Sequence, residues 1–193
     1  SDIFNANDIK TYVFDEIKPT PIVSFGVRNL SCICGIVITA SHNPPEYNGY
    51  KVYWSDGGQI VPPIDKKLIS SISRTNYGDI NFKANKNLKL TNYNKIEKEY
   101  FKKLCDYLKN IGIKKEKKKL KVVFTPIHGT SYKMIPSLLE DYGFEYKTVE
   151  SQMTPDGNFP TVISPNPEEA EALSTGINLA KKLNYDIVVG TDP

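Results

Sequence analysis

One short segment concentrates side chains able to do covalent chemistry. Thr39-Ala40-Ser41-His42-Asn43-Pro44 sets a hydroxyl, an imidazole and an amide in succession, and the turn-forming run Pro44-Pro45-Glu46-Tyr47-Asn48-Gly49 follows. A serine hydroxyl needs a base, a metal or a pre-attached phosphate before it transfers a group. Ser41 and His42 are sequence neighbours, and an extended backbone would turn their side chains apart. That argues against an acyl-transfer triad built on this pair. The competing local reading is a turn whose serine, histidine and asparagine bond nearby backbone. Lys51 opens a strand-like run just after Asn48-Gly49. A hairpin-like return there would carry its ammonium toward Ser41, where lysine serves as phosphate clamp or proton donor. The alternative is an exposed strand lysine. His128-Gly129 is read as a βα turn in preference to a cleft-facing site, with Gly129 supplying a permissive backbone angle. Gly157-Asn158 is likewise read as a turn. Cys32, Cys34 and Cys105 make an odd count, and Cys-x-Cys offers only two ligands, short of a zinc site. They are expected to be reduced thiols of a cytoplasmic protein.

The elements that must position these residues alternate between short apolar runs and helical periodicity. Residues 11–14 read as a strand, 21–30 as a helix with prolines at its start, and 35–39 as a strand β-branched enough to be buried. Residues 50–54 alternate, and Ser55-Asp56-Gly57-Gly58 signals a hairpin turn into 59–61. From 73 to 92 the chain is polar and aperiodic, which predicts a connection between domains with at most one short element near 80–82. A helix over 93–108 follows, with Ile96, Tyr100, Leu104 and Leu108 every four residues. A second series then reads strand 120–124, helix 134–142, strand 146–149, helix 167–183 and strand 186–189. Strands alternating with helices of this length predict an α/β fold with a parallel or mixed sheet. The last strand runs into Gly190-Thr191-Asp192-Pro193, and open α/β sheets build ligand sites at the carboxyl ends of strands. The expectation is therefore a chain interrupted where a site would be completed.

Composition narrows the partners. The 193 residues carry 25 Lys and Arg against 22 Asp and Glu, a formal charge of +3, with 39% hydrophobic residues. That is an ordinary globular composition. No basic stripe interleaved with aromatics points to nucleic acid; the basic run at 114–119 contains Glu116 and no aromatic, and reads as a solvated turn. No apolar run approaches the roughly 20 residues of a membrane span, and the polar start is unlike a signal peptide. Oligomeric state is not readable.

The segment from Gly35 through Ser41-His42-Asn43-Pro44 to Lys51 and Tyr53 resembles the phosphoserine loop of the α-D-phosphohexomutases, the phosphoglucomutase and phosphomannomutase superfamily. Pro19-Thr20-Pro21, Asp56-Gly57-Gly58-Gln59, Thr125-Pro126-Ile127-His128-Gly129, the stretch 155–160 and Pro165-Asn166-Pro167-Glu168 are similar to that family in the same order. The resemblance implies two incomplete βα domains with mixed sheets, 1–90 and 91–193, belonging to a four-domain fold. It implies that Ser41 carries a phosphoryl group, that His42 and Lys51 contact phosphate or sugar and help proton transfer, and that Asp192 with a phosphoserine oxygen holds Mg2+. Asp192 would open the family's Asp-x-Asp-x-Asp-Arg loop, whose second position here is Pro193. The implied activity is interconversion of hexose 1- and 6-phosphates through a bisphosphate, nearest to phosphoglucomutase, with hexose phosphate as partner. Phosphomannomutase or phosphopentomutase action, or a non-catalytic sugar-phosphate binder, are the alternatives. These 193 residues alone are expected to be inactive.

Overall fold

The computed structural model describes residues 1–83, 85–90, 94–117 and 119–193. They form two compact units, one of Ser1–Val37 with Lys51–Cys105 and one of Ile38–Tyr50 with Asp106–Pro193. None of the described helices is long and apolar enough to cross a membrane.

In the first unit a short helix α1 (Asp2–Ala6) precedes β1 (Thr11–Tyr12), and α2 (Thr20–Asn29) starts on Pro19 and Pro21, whose fixed φ suits a helix's first turn. Next come β2 (Cys34–Thr39), β3 (Gly49–Trp54), α3 (Ile64–Arg74), β4 (Lys89–Leu90) and α4 (Asn94–Asn110), of which β2, β3 and α4 have residues in the second unit. Ile22, Val27 and Ile96 are buried, and Phe25 meets Tyr100 edge to face at 5.5 Å between ring centres. The turn predicted at 55–58 is present: the Trp54 amide donates to the Gly58 carbonyl at 2.8 Å, and Tyr53 bridges Gln59 antiparallel.

Three expectations are corrected here. The strand at β2 is not buried: Ile38 is 76% exposed. Among the described residues β2 pairs only with β3, and one of its faces, at Gly35, meets Val23 and Val27 of α2 while Ile36 and Ile38 on the other stay exposed. The strand at 11–14 is cut to two residues, which pair in parallel with Lys89–Leu90. Residues 73–92 are thus more than a connection, since α3 extends to Arg74 and β4 joins a sheet, while 80–82 form no element. The predicted start of the next helix, Tyr93, lies outside the described residues, as do Ala84, Thr91 and Asn92 of the preceding stretch and Lys118 of the basic run.

The second unit is a parallel three-stranded sheet ordered β6–β5–β7, from β5 (Lys121–Thr125), β6 (Glu145–Thr148) and β7 (Ile187–Gly190). Helices α5 (Met134–Asp141) and α6 (Ser174–Leu183) make the crossovers. Val122, Val123 and Phe124 are buried as a continuous apolar run, as a central parallel strand requires. Val123 packs with Val149 and Ala180. The helix expected over 167–183 begins only at Ser174. Residues 166–174 instead close successive three-residue turns, Glu169 N–H to Asn166 O, Ala172 N–H to Glu169 O and Ser174 N–H to Glu171 O. The Asn166 side chain takes the Glu168 amide at 3.0 Å, a local bond that competes with helix.

From β5 the chain leaves to β6 on one side and returns to β7 on the other. The β5/β7 boundary is therefore the topological switch point, where open α/β sheets place ligands beyond the strand carboxyl ends. Thr125 pairs with Gly190 there, so the loops at 126–131 and 191–193 leave the sheet side by side.

Candidate active site

Ser41 follows β2 in the left-handed backbone region, at φ 56°. Its amide donates to Thr39 Oγ1 at 2.8 Å, and the Asn43 amide donates to the Ala40 carbonyl at 3.0 Å, so the loop closes on itself within five residues. The expectation that the Ser41 and His42 side chains diverge is overturned, because it presumed an extended backbone. Both converge on one carboxylate: Ser41 Oγ donates to Asp192 Oδ1 at 3.3 Å, and His42 Nδ1 lies 3.0 Å from Asp192 Oδ2. An ionised carboxylate only accepts, so Nδ1 carries the hydrogen and Nε2 faces elsewhere. With the Asp192 side chain 50% exposed and that of His42 35%, the cluster is open to a solvated anion or cation.

Asp192 is held by neighbours on the β5 loop. The Thr191 amide donates to the Thr125 carbonyl at 3.2 Å, Ser131 and Thr191 share a 2.5 Å hydroxyl bond, and Thr130 Oγ1 donates to the Pro193 carbonyl at 3.2 Å. Gly129 lies so close to Pro193 that a Cβ would enter its backbone and stand 2.8 Å from the Pro126 carbonyl oxygen. This cradle went unread in the sequence; its one signal was that Thr125 to Gly129 belong to a recognisable run. The reading of His128-Gly129 as a turn holds, with the imidazole buried between the Thr154 carbonyl and the Thr161 hydroxyl. The permissive angle expected of Gly129 is corrected: Ile127 and His128 are the left-handed residues, and Gly129 is needed because a Cβ would meet Pro193 and the Pro126 carbonyl. Asp156 Oδ1 accepts the Asn158 amide at 2.9 Å, an Asx turn as expected at 157–158.

Lys51 is the third residue of β3, partly buried, and belongs to the first unit. Cys32 and Cys34 are free, and burial raises both thiol pKa values above the ordinary range, with Cys34 adding to the rise at Cys32. Thiols so disposed are poor nucleophiles.

Ser41 Oγ and the Asp192 carboxylate are oxygen donors, the kind a hard cation such as Mg2+ takes. Among the described residues no three His, Cys, Asp or Glu side chains gather into a metal site. The donors fit Mg2+ in kind and supply only part of a coordination sphere.

Residues 1–79 match the family model described as "Phosphoglucomutase/phosphomannomutase, alpha/beta/alpha domain I", and residues 98–193 match the corresponding domain II. A protein named phosphoglucomutase from Staphylococcus epidermidis is 37% identical over the whole chain, which spans 36% of that relative's length. A protein named "Probable phosphoribomutase" from Schizosaccharomyces pombe is 38% identical over 99% of the chain and is covered over 34% of its own length. Among solved structures, a phosphoglucomutase/phosphomannomutase family protein from Burkholderia thailandensis superposes with a TM-score of 0.68 at 24% identity, over 91% of this chain and 36% of that one.

Proposed function

We infer that this chain, which belongs to the phosphoglucomutase/phosphomannomutase family, supplies the phosphoryl-carrying loop and the first metal carboxylate of a phosphoglucomutase. The observation that carries the reading is the meeting of Ser41 and His42 on the Asp192 carboxylate across 150 residues of sequence. In this reading a phosphoryl group rests on Ser41 Oγ. Its P–O bond to serine breaks as the hydroxyl oxygen of a hexose phosphate bonds the phosphorus. The sugar hydroxyl gives up its proton and Ser41 Oγ recovers one, with His42 and Lys51 as the proton-handling and phosphate-contacting groups. The bisphosphate then returns its other phosphoryl group to Ser41 by the same chemistry in reverse.

Asp192 and a phosphoserine oxygen would hold Mg2+, whose charge neutralises the transferring phosphoryl group. Asp192 itself also positions: its carboxylate accepts from the unphosphorylated Ser41 hydroxyl and fixes the tautomer of His42. Hexose phosphate as substrate, a cytoplasmic setting and two domains over 1–90 and 91–193 belong to the same reading.

In the full-length protein carrying this sequence, glucose 1-phosphate should be converted to glucose 6-phosphate in a coupled assay. Ser41→Ala should remove nearly all turnover, because no neighbouring group replaces the covalent relay. Wild-type levels in Ser41→Ala would sink the reading. The phosphoribomutase-named relative at 38% identity favours a second reading, in which a pentose phosphate is the substrate. Ribose 1-phosphate turned over faster than glucose 1-phosphate would select it.

A further inference from the structure

The loop that cradles residues 191–193 is strained, and a partly buried polar chain holds it. Ile127 and His128 are consecutive left-handed residues, at φ 47° and 59°. That region is costly for any residue with a Cβ, and most of all for β-branched isoleucine. Such outliers persist only where surrounding structure over-determines them.

Here the determining structure runs in one direction. The Ile127 amide donates to Thr125 Oγ1 at 3.0 Å, and the Thr125 hydroxyl donates to Gln152 Oε1 at 2.5 Å. Gln152 Nε2 donates to Thr161 Oγ1 at 3.0 Å, Thr161 Oγ1 meets His128 Nε2 at 2.9 Å, and His128 Nδ1 meets the Thr154 carbonyl at 2.9 Å. A carbonyl only accepts, so Nδ1 bears the hydrogen; in the neutral ring Nε2 then accepts from the Thr161 hydroxyl. Each link fixes the polarity of the next, from a backbone amide at one end to a backbone carbonyl at the other. Gln152 is fully buried, so its amide has no water to fall back on. The backbone bonds from His128 N–H to Gln152 O, 2.9 Å, and from Asp156 N–H to His128 O, 3.1 Å, tie the same segments together.

The turn fixed in this way carries Gly129, Thr130 and Ser131 against Pro193 and Thr191, the two neighbours of Asp192. We propose that Gln152, Thr161 and His128 are positioning residues: their hydrogen-bonded chain locks the strained 127–128 turn and thereby sets the Asp192 carboxylate against Ser41 and His42. The catalytic consequence rests on the mutase reading above; the positional claim does not.

Thr161 is the link to test, because it is exposed while its partners His128 and Gln152 are buried. Thr161→Val keeps the shape and removes the hydroxyl, whereas Thr161→Ser keeps the hydroxyl. Both are made in the full-length protein, and hydrogen exchange at the Thr130 and Thr191 amides is measured beside turnover. In Thr161→Val both amides should exchange at least about tenfold faster, with the β5 amides unchanged. kcat should fall by about tenfold while KM for the sugar phosphate holds, as for a misplaced catalytic group. Thr161→Ser should match the wild type in both. Unchanged exchange in Thr161→Val overturns the proposal, and so does faster exchange with kcat intact. A wild type that turns over no sugar phosphate defeats the mutase reading alone, and the exchange arm still decides whether the chain places residues 191–193.

Discussion

A serine held at φ 56° gives up about 1–2 kcal/mol relative to the ordinary backbone regions, and Ser41 is held there. What the strain achieves is direction. With its amide turned back onto Thr39 Oγ1, Ser41 presents its hydroxyl to Asp192 from the same side as the His42 ring. The Asp192 carboxylate hydrogen-bonds to both, one oxygen each. Lys51 is a different case, since its role is carried by resemblance and by its place in β3. If its ammonium serves the reaction, Lys51→Ala in the full-length enzyme should cost turnover about 10²–10⁴-fold, the usual loss for a positioned proton donor. Its folding stability should fall by no more than about 1 kcal/mol, since the side chain is only partly buried and lies outside the core. Lys66→Ala on α3, exposed and given no role, is the matched control. Turnover and a urea melt of each variant decide it: equal behaviour would leave Lys51 a solvated strand lysine.

At the scale of elements, the site depends on two loops leaving adjacent parallel strands. Gly129 shows how tight that arrangement is, because a methyl group there meets backbone on both sides, at Pro193 and at the Pro126 carbonyl. Neither can give way by a rotamer change, so Gly129→Ala should lower stability by about 1–3 kcal/mol, as overpacking does. Gly157→Ala, with nothing within 4 Å of the added atom, should be neutral. Similar urea midpoints for the two would show that the 126–131 loop does not press on 191–193. The start of the same sheet has a pH-dependent clasp. Lys121 and Glu145 are register partners on β5 and β6, with Nζ 3.1 Å from Oε1. The hydrogen bond from Lys121 lowers the Glu145 pKa, and Glu145 raises that of Lys121. A depressed carboxyl pKa stabilises above the unfolded value, about 4.3, and the contribution is lost as pH falls through the folded value. Glu145→Gln should therefore flatten the acid-side fall of the urea midpoint below about pH 5. Equal slopes in the two proteins would contradict the pairing.

Over the whole molecule, the βα order of the second unit was legible because each element is long enough to show a period, and β5 is a plain apolar run. Pairings of two residues, such as Thr11–Tyr12 with Lys89–Leu90, leave no period to read. The cradle around Asp192 was hidden for another reason: its bonds join residues 60 or more apart, as in Ser131 to Thr191, through hydroxyls common to any loop. The convergence of Ser41 and His42 was hidden by a backbone angle that no residue type at that position announces. Recognition of the Thr39 to Pro44 loop supplied the chemistry, and the fold supplied the carboxylate's place. In the proposed reaction Ser41 is the phosphoryl carrier. Full-length protein incubated with glucose 1,6-bisphosphate and digested for peptide mass mapping tests that directly. A single phosphate is expected on Ser41, absent in Ser41→Ala together with turnover; phosphate on Ser31 or Ser55, or on no serine while turnover persists, would rule out Ser41 as the carrier.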